Sequence, residues 1–205
     1  MIKSIIWGAV RAIKYVFYVP LMLGASIAYF IVCPRVKALI KADIDAFYRI
    51  EIHEQKVSYY TAFYRLMVDY KAFRNVFYYR LWYPAILIRW ILRPECTLAI
   101  RAKQLGGGIY IQHGSSTQID AKSIGRNFWT NQNVTIGWNG PGNPIIGDNV
   151  RIGTGAVVIG PITIGNNVNI GANAIVTKDV PSDCTVVSPQ AFIIKRNGKR
   201  VHEEL

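Results

Sequence analysis

The stretch IGDNVRIGTGAVVIGPITIGNNVNIGANAIVTKDV, Ile146 to Val180, repeats itself every six residues. Aliphatic side chains fall at Ile146, Ile152, Val158, Ile164, Ile170 and Val176, and Gly147, Gly153, Gly165 and Gly171 follow four of them. Four residues after each aliphatic comes a second small or apolar side chain: Val150, Ala156, Ile162, Val168, Ala174 and Val180. Such a period matches neither the turn of an α-helix nor the alternation of a simple strand. It is the period of a parallel β-helix, in which short strands bend at corners and three hexads close one triangular coil. A coil can hide its apolar positions only under another coil, so the repeats predict a continuous stack.

Upstream the pattern continues less regularly through Ile124-Gly125, Thr130 and Ile136-Gly137. Roughly four to five coils can be drawn from residues 98 to 180, with polar and glycine positions at corners where a positive φ is needed. One interruption breaks the count. Ile136 to Ile146 spans ten residues, so GWNGPGNP, Gly137 to Pro144, must leave the coil as a Gly/Pro-rich loop. Loops on rigid scaffolds often carry function.

The chain has 205 residues, enough to bury one core with an appendage. Its net charge of +12 is unevenly placed: residues 1–96 hold 14 basic and 6 acidic side chains, residues 97–180 hold 6 and 3. No nucleic-acid motif accompanies the charge, which argues against a nucleic-acid partner. Cys33, Cys96 and Cys184 are odd in number and far apart, without a CxxC, so neither a disulfide framework nor a zinc site is expected and a reducing cytoplasm is the simplest home.

The N-terminal part has a different character. From Tyr15 to Cys33 the chain reads YVFYVPLMLGASIAYFIVC, without a charge and flanked by Arg11, Lys14, Arg35, Lys37 and Lys41. One helix of that length would measure about 28 Å, close to a bilayer's hydrocarbon thickness. Membrane attachment through residues 1–34 is expected from this, with Pro20 and Gly24 able to break the helix into an in-plane hairpin; packing of the same stretch into a helical core is the alternative. Tyr59 to Pro94 interleaves aromatics with Arg65, Lys71, Arg74, Arg80, Arg89 and Arg93, a pattern of helices at a membrane interface or of a bundle with a solvated basic face. The expected organisation is a membrane-associating segment over 1–41, a helical domain over 42–96, the β-helix over 97–181 and a basic tail over 182–205.

Three short motifs, in this order, add a resemblance: ADIDAFYRIE (Ala42–Glu51), LGGGIYIQHGSS (Leu105–Ser116) and NQNVTIG (Asn131–Gly137). With the repeats they resemble the left-handed parallel β-helix acyltransferases, in the serine acetyltransferase-like branch that includes O-acetyltransferases of cell-surface polysaccharides. The resemblance implies homotrimers of prisms, acetyl-CoA as co-substrate in a groove between subunits, no permanently bound cofactor, and direct transfer without an acyl-enzyme. It makes His113 the general base. The residues agree with this role, since an imidazole is well matched to remove a hydroxyl's proton near neutral pH, and neither His53 nor His202 belongs to the repeat.

The same resemblance marks Glu51 as an acidic residue facing the acceptor. Where serine acetyltransferases carry Asp before the histidine this chain has Gln112, and where their loop carries a second histidine it has Asn143. Gln112 and Asn143 are therefore candidate acceptor contacts, and Trp138 in the loop is a candidate wall of the acceptor site. Backbone N–H groups at Gly114, Gly137, Gly155 or Gly160 are expected to face the oxyanion and the pantetheine arm. Lys178, Lys195 and Arg196, with Lys199 and Arg200 in the segment SPQAFIIKRNGKR, are expected to meet the phosphates of CoA; a solvated basic tail is the plainer reading of the last four.

The two departures from the serine enzymes, joined to the apolar N-terminus, lead to the expectation of a membrane-bound acceptor: O-acetylation of a sugar or lipid-linked glycan in surface polysaccharide assembly, at the inner face of the cell membrane. Serine O-acetylation is the first alternative, which Glu51 favours. A non-catalytic β-helix scaffold, with His113 as a mere corner residue, is the second.

Overall fold

The computed structural model describes residues 13, 15–16, 18, 22–51, 57–81 and 85–204, and the side chains among these except for residues 85–87. A helical region precedes a three-sided parallel β-solenoid. After a helical stretch over residues 22–31 come α1 (Pro34–Glu51), α2 (Tyr59–Asp69), α3 (Lys71–Leu81) and α4 (Ala85–Ile91). Fifteen strands follow from β1 (Leu98–Ile100) to β15 (Lys199–Glu204).

The hexad positions do what their spacing requires. All twelve apolar positions from Ile146 to Val180 are buried, Val150, Ala156, Val158 and Val168 completely so. The solenoid strands pair in parallel in three sheets, one per prism face: β1-β3-β6-β9-β12, β10-β7-β4 and β13-β11-β8-β5-β2. Register is maintained down each face, as in Tyr110 with Trp129 and Trp129 with Arg151. Strand β13 (Thr185–Val186) extends the stack beyond residue 181, and the segment expected to be a basic tail closes as an antiparallel hairpin of β14 (Phe192–Arg196) with β15.

The corners carry positive φ at polar and glycine positions, as the spacing implies. At one corner column the left-handed backbone belongs to Asn127, Asn149, Asn167 and Asp183, with φ of 55°, 58°, 56° and 62°. Their side chains bond down the stack: Asn127 donates to Asn149 at 2.9 Å, Asn149 to Asn167 at 2.9 Å and Asn167 to Asp183 at 2.8 Å. Asn tolerates this conformation better than other L-residues, and the ladder satisfies its amide. The neighbouring glycines serve another need. A Cβ on Gly125 would lie 2.6 Å from the backbone of Gly147, and one on Gly165 would lie 2.4 Å from the Ser182 nitrogen. Coils approach too closely there for any side chain.

The helical region packs on the first coil. Tyr29, Phe63, Phe73, Phe77 and Phe47 form an aromatic core that reaches Tyr110 of β2 (Tyr110–Ile111), whose ring meets Phe47 at 4.9 Å. Two arginines expected to be solvated or at a membrane interface are instead internal. Arg74 is buried and donates to the carbonyls of Met67, Val68 and Arg93, closing the open C-terminal end of α2. Arg80 is paired with Asp43 of α1.

Membrane attachment of residues 1–34 finds no support. Among the described residues no helix is long and apolar enough to cross a membrane. Residues 22–31 are helical, and Met22, Ala25, Ala28 and Tyr29 face the core, with the Tyr29 ring stacked on Phe63 at 5.0 Å. An apolar stretch that contributes one face to a core reads in sequence much like one that enters lipid. Its other face leaves Leu23, Ile27, Phe30 and Ile31 exposed. Gly24 lies within this helix; Pro20, the other proposed break, falls outside the described residues.

Candidate active site

His113 stands at the corner between β2 and β3 (Thr117–Ile119). Ile111 pairs with Thr130, and Gln118 pairs with Thr135. Between those two pairs the upper coil runs through six residues, 112–117, while the coil beneath uses four, 131–134. The next coil again uses four, 153–156. Two surplus residues have to leave the wall of the prism. They do so through left-handed backbone at His113 (φ 64°), Gly114 (φ 70°) and Ser116 (φ 51°). For a non-glycine residue that conformation costs about 1–2 kcal/mol, so the packing of the corner must hold it.

Gly114 is the anchor of that packing. It is buried, and a Cβ there would come within 3.1 Å of Leu98 and 3.2 Å of Ala72. His113 is by contrast exposed, and its imidazole makes no hydrogen bond to the described residues. Both ring nitrogens are available to an incoming group.

Glu51, the last residue of α1, lies near the same end of the prism. It accepts a hydrogen bond from the Tyr110 phenol, three residues before His113 in the chain. Burial, and then the Glu51 carboxylate itself, push the Tyr110 phenol far above the ordinary tyrosine range. The phenol therefore remains a donor and holds Glu51 half-buried beside β2. Tyr110 was not among the residues singled out from the sequence. Gln132 was not either: it belongs to the corner directly beneath His113, and its Oε1 is buried without a hydrogen-bond partner among the described residues. Only the coil register reveals that placement.

The remaining candidates separate. Trp138 is exposed in the loop at the following corner, between β6 (Thr135–Gly137) and β7 (Ile145–Ile146). Asn143 in that loop donates to the carboxylate of Asp120 at 2.8 Å, just beyond β3. Lys178 is exposed at the same corner column, two coils further on. Strand β3, about 10 Å of extended chain, lies between these residues and the His113 corner, so one chain does not bring them together.

Several assignments are corrected by the hydrogen bonds. The N–H groups of Gly114, Gly155 and Gly160, expected to face an oxyanion, donate to the carbonyls of Gln112, Gln132 and Gly137. Gly137 has open space around its Cα. Gln112 is half-buried, with its N–H donating to Thr130. Arg196 is engaged by the Glu203 carboxylate across the terminal hairpin, in which Lys195, Lys199 and Arg200 are also exposed. His202 stacks on Phe192 in the same hairpin at 4.2 Å, away from the solenoid corners; His53 lies outside the described residues.

The family model described as bacterial transferase hexapeptide (six repeats) matches residues 143–178. Over those residues the chain is similar to the hexapeptide-repeat transferases. Among such transferases it is 45% identical over 103 residues to a serine acetyltransferase of Synechococcus elongatus, covering 48% of this chain and 42% of that protein. It is 34% identical over 109 residues to one of Bacillus pumilus, covering 51% and 50%. The chain thus spans about half the length of the curated relatives it matches or somewhat less. The crystal structure of the Neisseria gonorrhoeae serine acetyltransferase in complex with serine superposes with a TM-score of 0.61 at 25% identity, over 77% of this chain and 68% of that one. The native serine acetyltransferase 1 of Entamoeba histolytica gives 0.60 at 26%, over 89% and 76%.

These similarities overturn the expectation of a polysaccharide O-acetyltransferase. The relatives and structures named above are serine acetyltransferases, which supports the alternative drawn from Glu51. The premise of a lipid-linked acceptor came from the apolar N-terminus, and that stretch supplies one face of a helical core.

Proposed function

We propose that this chain is an acetyl-CoA-dependent O-acetyltransferase whose acceptor is the hydroxyl of L-serine. The observation that carries the reading is His113, an exposed and unbonded imidazole thrown out of the coil wall by a corner two residues longer than those beneath it. The likeness to serine acetyltransferases over about half of the chain supports the substrate.

The chemistry follows from the residues. His113 takes the proton of the serine hydroxyl as that oxygen attacks the thioester carbonyl of acetyl-CoA. The tetrahedral intermediate collapses with cleavage of the C–S bond. The imidazolium returns its proton to the departing thiolate, giving O-acetylserine and CoA. In this reading Glu51, held by Tyr110, receives the ammonium group of serine.

The loop bearing Trp138 and Asn143 sits at a different corner from His113, so a complete site requires the loop of a second copy. A homotrimer of prisms provides that arrangement, and light scattering in solution tests it. For the activity, CoA release is followed with L-serine as acceptor. His113→Ala should lower turnover by about 10²–10⁴-fold, the range for loss of a general base, with oligomeric state and melting temperature unchanged. Turnover with L-serine that survives this substitution would exclude the general-base role; absence of turnover with L-serine in the intact protein would exclude the acceptor.

A further inference from the structure

Away from the His113 corner, a cavity of about 270 Å³ opens between α1 and the face formed by β2, β5 (Trp129–Thr130) and β8 (Arg151–Ile152). Its lining includes Arg49 of α1, and Tyr110, Trp129 and Arg151 at successive levels of the sheet. The Trp129 indole Nε1 is buried and has no acceptor among the described residues. Buried donors are almost always partnered, and an orphaned one costs about 1–3 kcal/mol. The ring itself is well held: Tyr110 meets it edge-on at 5.4 Å, and the Arg151 guanidinium lies 4.6 Å from its centroid.

The charges around this donor are one-sided. Arg49 and Arg151 both border the cavity, and no carboxylate among the described residues lines it. Neither guanidinium forms an ion pair with a described residue. The two amides that border it, Asn127 and Asn149, are already engaged in the corner ladder. A cavity bordered by two guanidinium groups and by a tryptophan whose buried N–H lacks an acceptor is matched by an oxygen that carries negative charge. The volume falls just under the usual range for drug-sized ligands, which suits a small molecule better than a nucleotide.

We propose that this cavity binds a small oxyanion, the carboxylate or phosphate of a small metabolite, with Trp129 Nε1–H as the buried donor and Arg49 and Arg151 as its counter-charges. The site uses neither His113 nor the loop, though it shares Tyr110 with the acetyl-transfer reading, the ring lining the cavity while the phenol holds Glu51.

The full chain labelled with ¹⁵N at tryptophan indoles gives a direct readout, with Trp129→Phe assigning the resonance. Sodium phosphate and sodium acetate are titrated separately, ionic strength being kept constant with sodium chloride. A saturable downfield shift of the Trp129 N–H with phosphate, acetate or both is expected, and the response shows which head group the site takes. Arg49→Gln and Arg151→Gln, on exposed side chains, should each weaken that binding by about tenfold or more, as for loss of a charged hydrogen-bond partner. Calorimetric titration of the same arginine variants gives the affinities without the assignment. A resonance unmoved by either anion, or affinities unchanged in both variants, means a water-filled cavity and overturns the proposal.

Discussion

Arg80 grips Asp43 through two nitrogens, at 2.9 and 3.2 Å, with both side chains almost wholly removed from solvent. The pair does more than join α1 to α3. Arg80 also donates to the carbonyls of Leu105 and Gly106, and Asp43 accepts from the Ile109 N–H at 2.9 Å. The chain entering β2 is thereby tied to two helices just before it reaches Tyr110 and His113. Burial pushes the Asp43 carboxyl upward, against the pull of Arg80 and the backbone N–H groups.

Asp43→Ala leaves the Arg80 cation buried without its carboxylate. A loss of about 3–5 kcal/mol is expected, as for breaking other buried pairs from one side. Urea unfolding checks this, and the Asp43→Ala/Arg80→Ala double variant should lose less than the sum of the two single losses.

Tyr110 sets a pH dependence at the alkaline side. Its folded-state pKa is raised, first by burial and then by Glu51, so folding favours the neutral phenol. That contribution is fully present below the unfolded tyrosine value near 10. It is lost as pH rises above that value towards the folded one, because the unfolded chain then gives up the proton first. Melting temperature should fall more steeply above about pH 10 in the wild type than in Tyr110→Phe, with parallel curves below it. Parallel curves throughout would show that the phenol is not held as described.

Two glycines that each follow a Thr-Ile pair should respond differently. Gly165→Ala drives a Cβ to 2.4 Å from the Ser182 nitrogen, whereas Gly137→Ala meets nothing within 4 Å. The first should destabilise by about 1–3 kcal/mol through backbone displacement. The second should stay within about 0.5 kcal/mol of the wild type. Thermal unfolding of the two proteins under one condition separates them.

Asn149 tests the corner ladder. Asn149→Ala both places Ala at a φ of 58° and cuts the bonds to Asn127 and Asn167. Asn149→Gly removes the bonds but accepts the backbone freely. Alanine should therefore be the worse of the two by about 1–2 kcal/mol; equal losses would mean that conformation contributes nothing at this corner.

What the sequence determined alone is the solenoid, because its cause is local and repeated. Ile146, Val150 and their successors recur at a spacing that only stacked coils can bury, and His113 could be marked by its neighbours in the chain. The tertiary structure decided what depends on residues far apart. Residues 22–31 carry no sign of which face they bury until Phe63 is placed against Tyr29. Arg74 and Arg80 read as surface charges until helix ends and Asp43 surround them. The surplus length at the His113 corner exists only by comparison with residues 131–134 of the next coil. The physical reason is common to all three: apolar periodicity fixes which residues turn inward within one element, while the neutralisation of a charge or the exposure of an imidazole is set by what other elements bring to it.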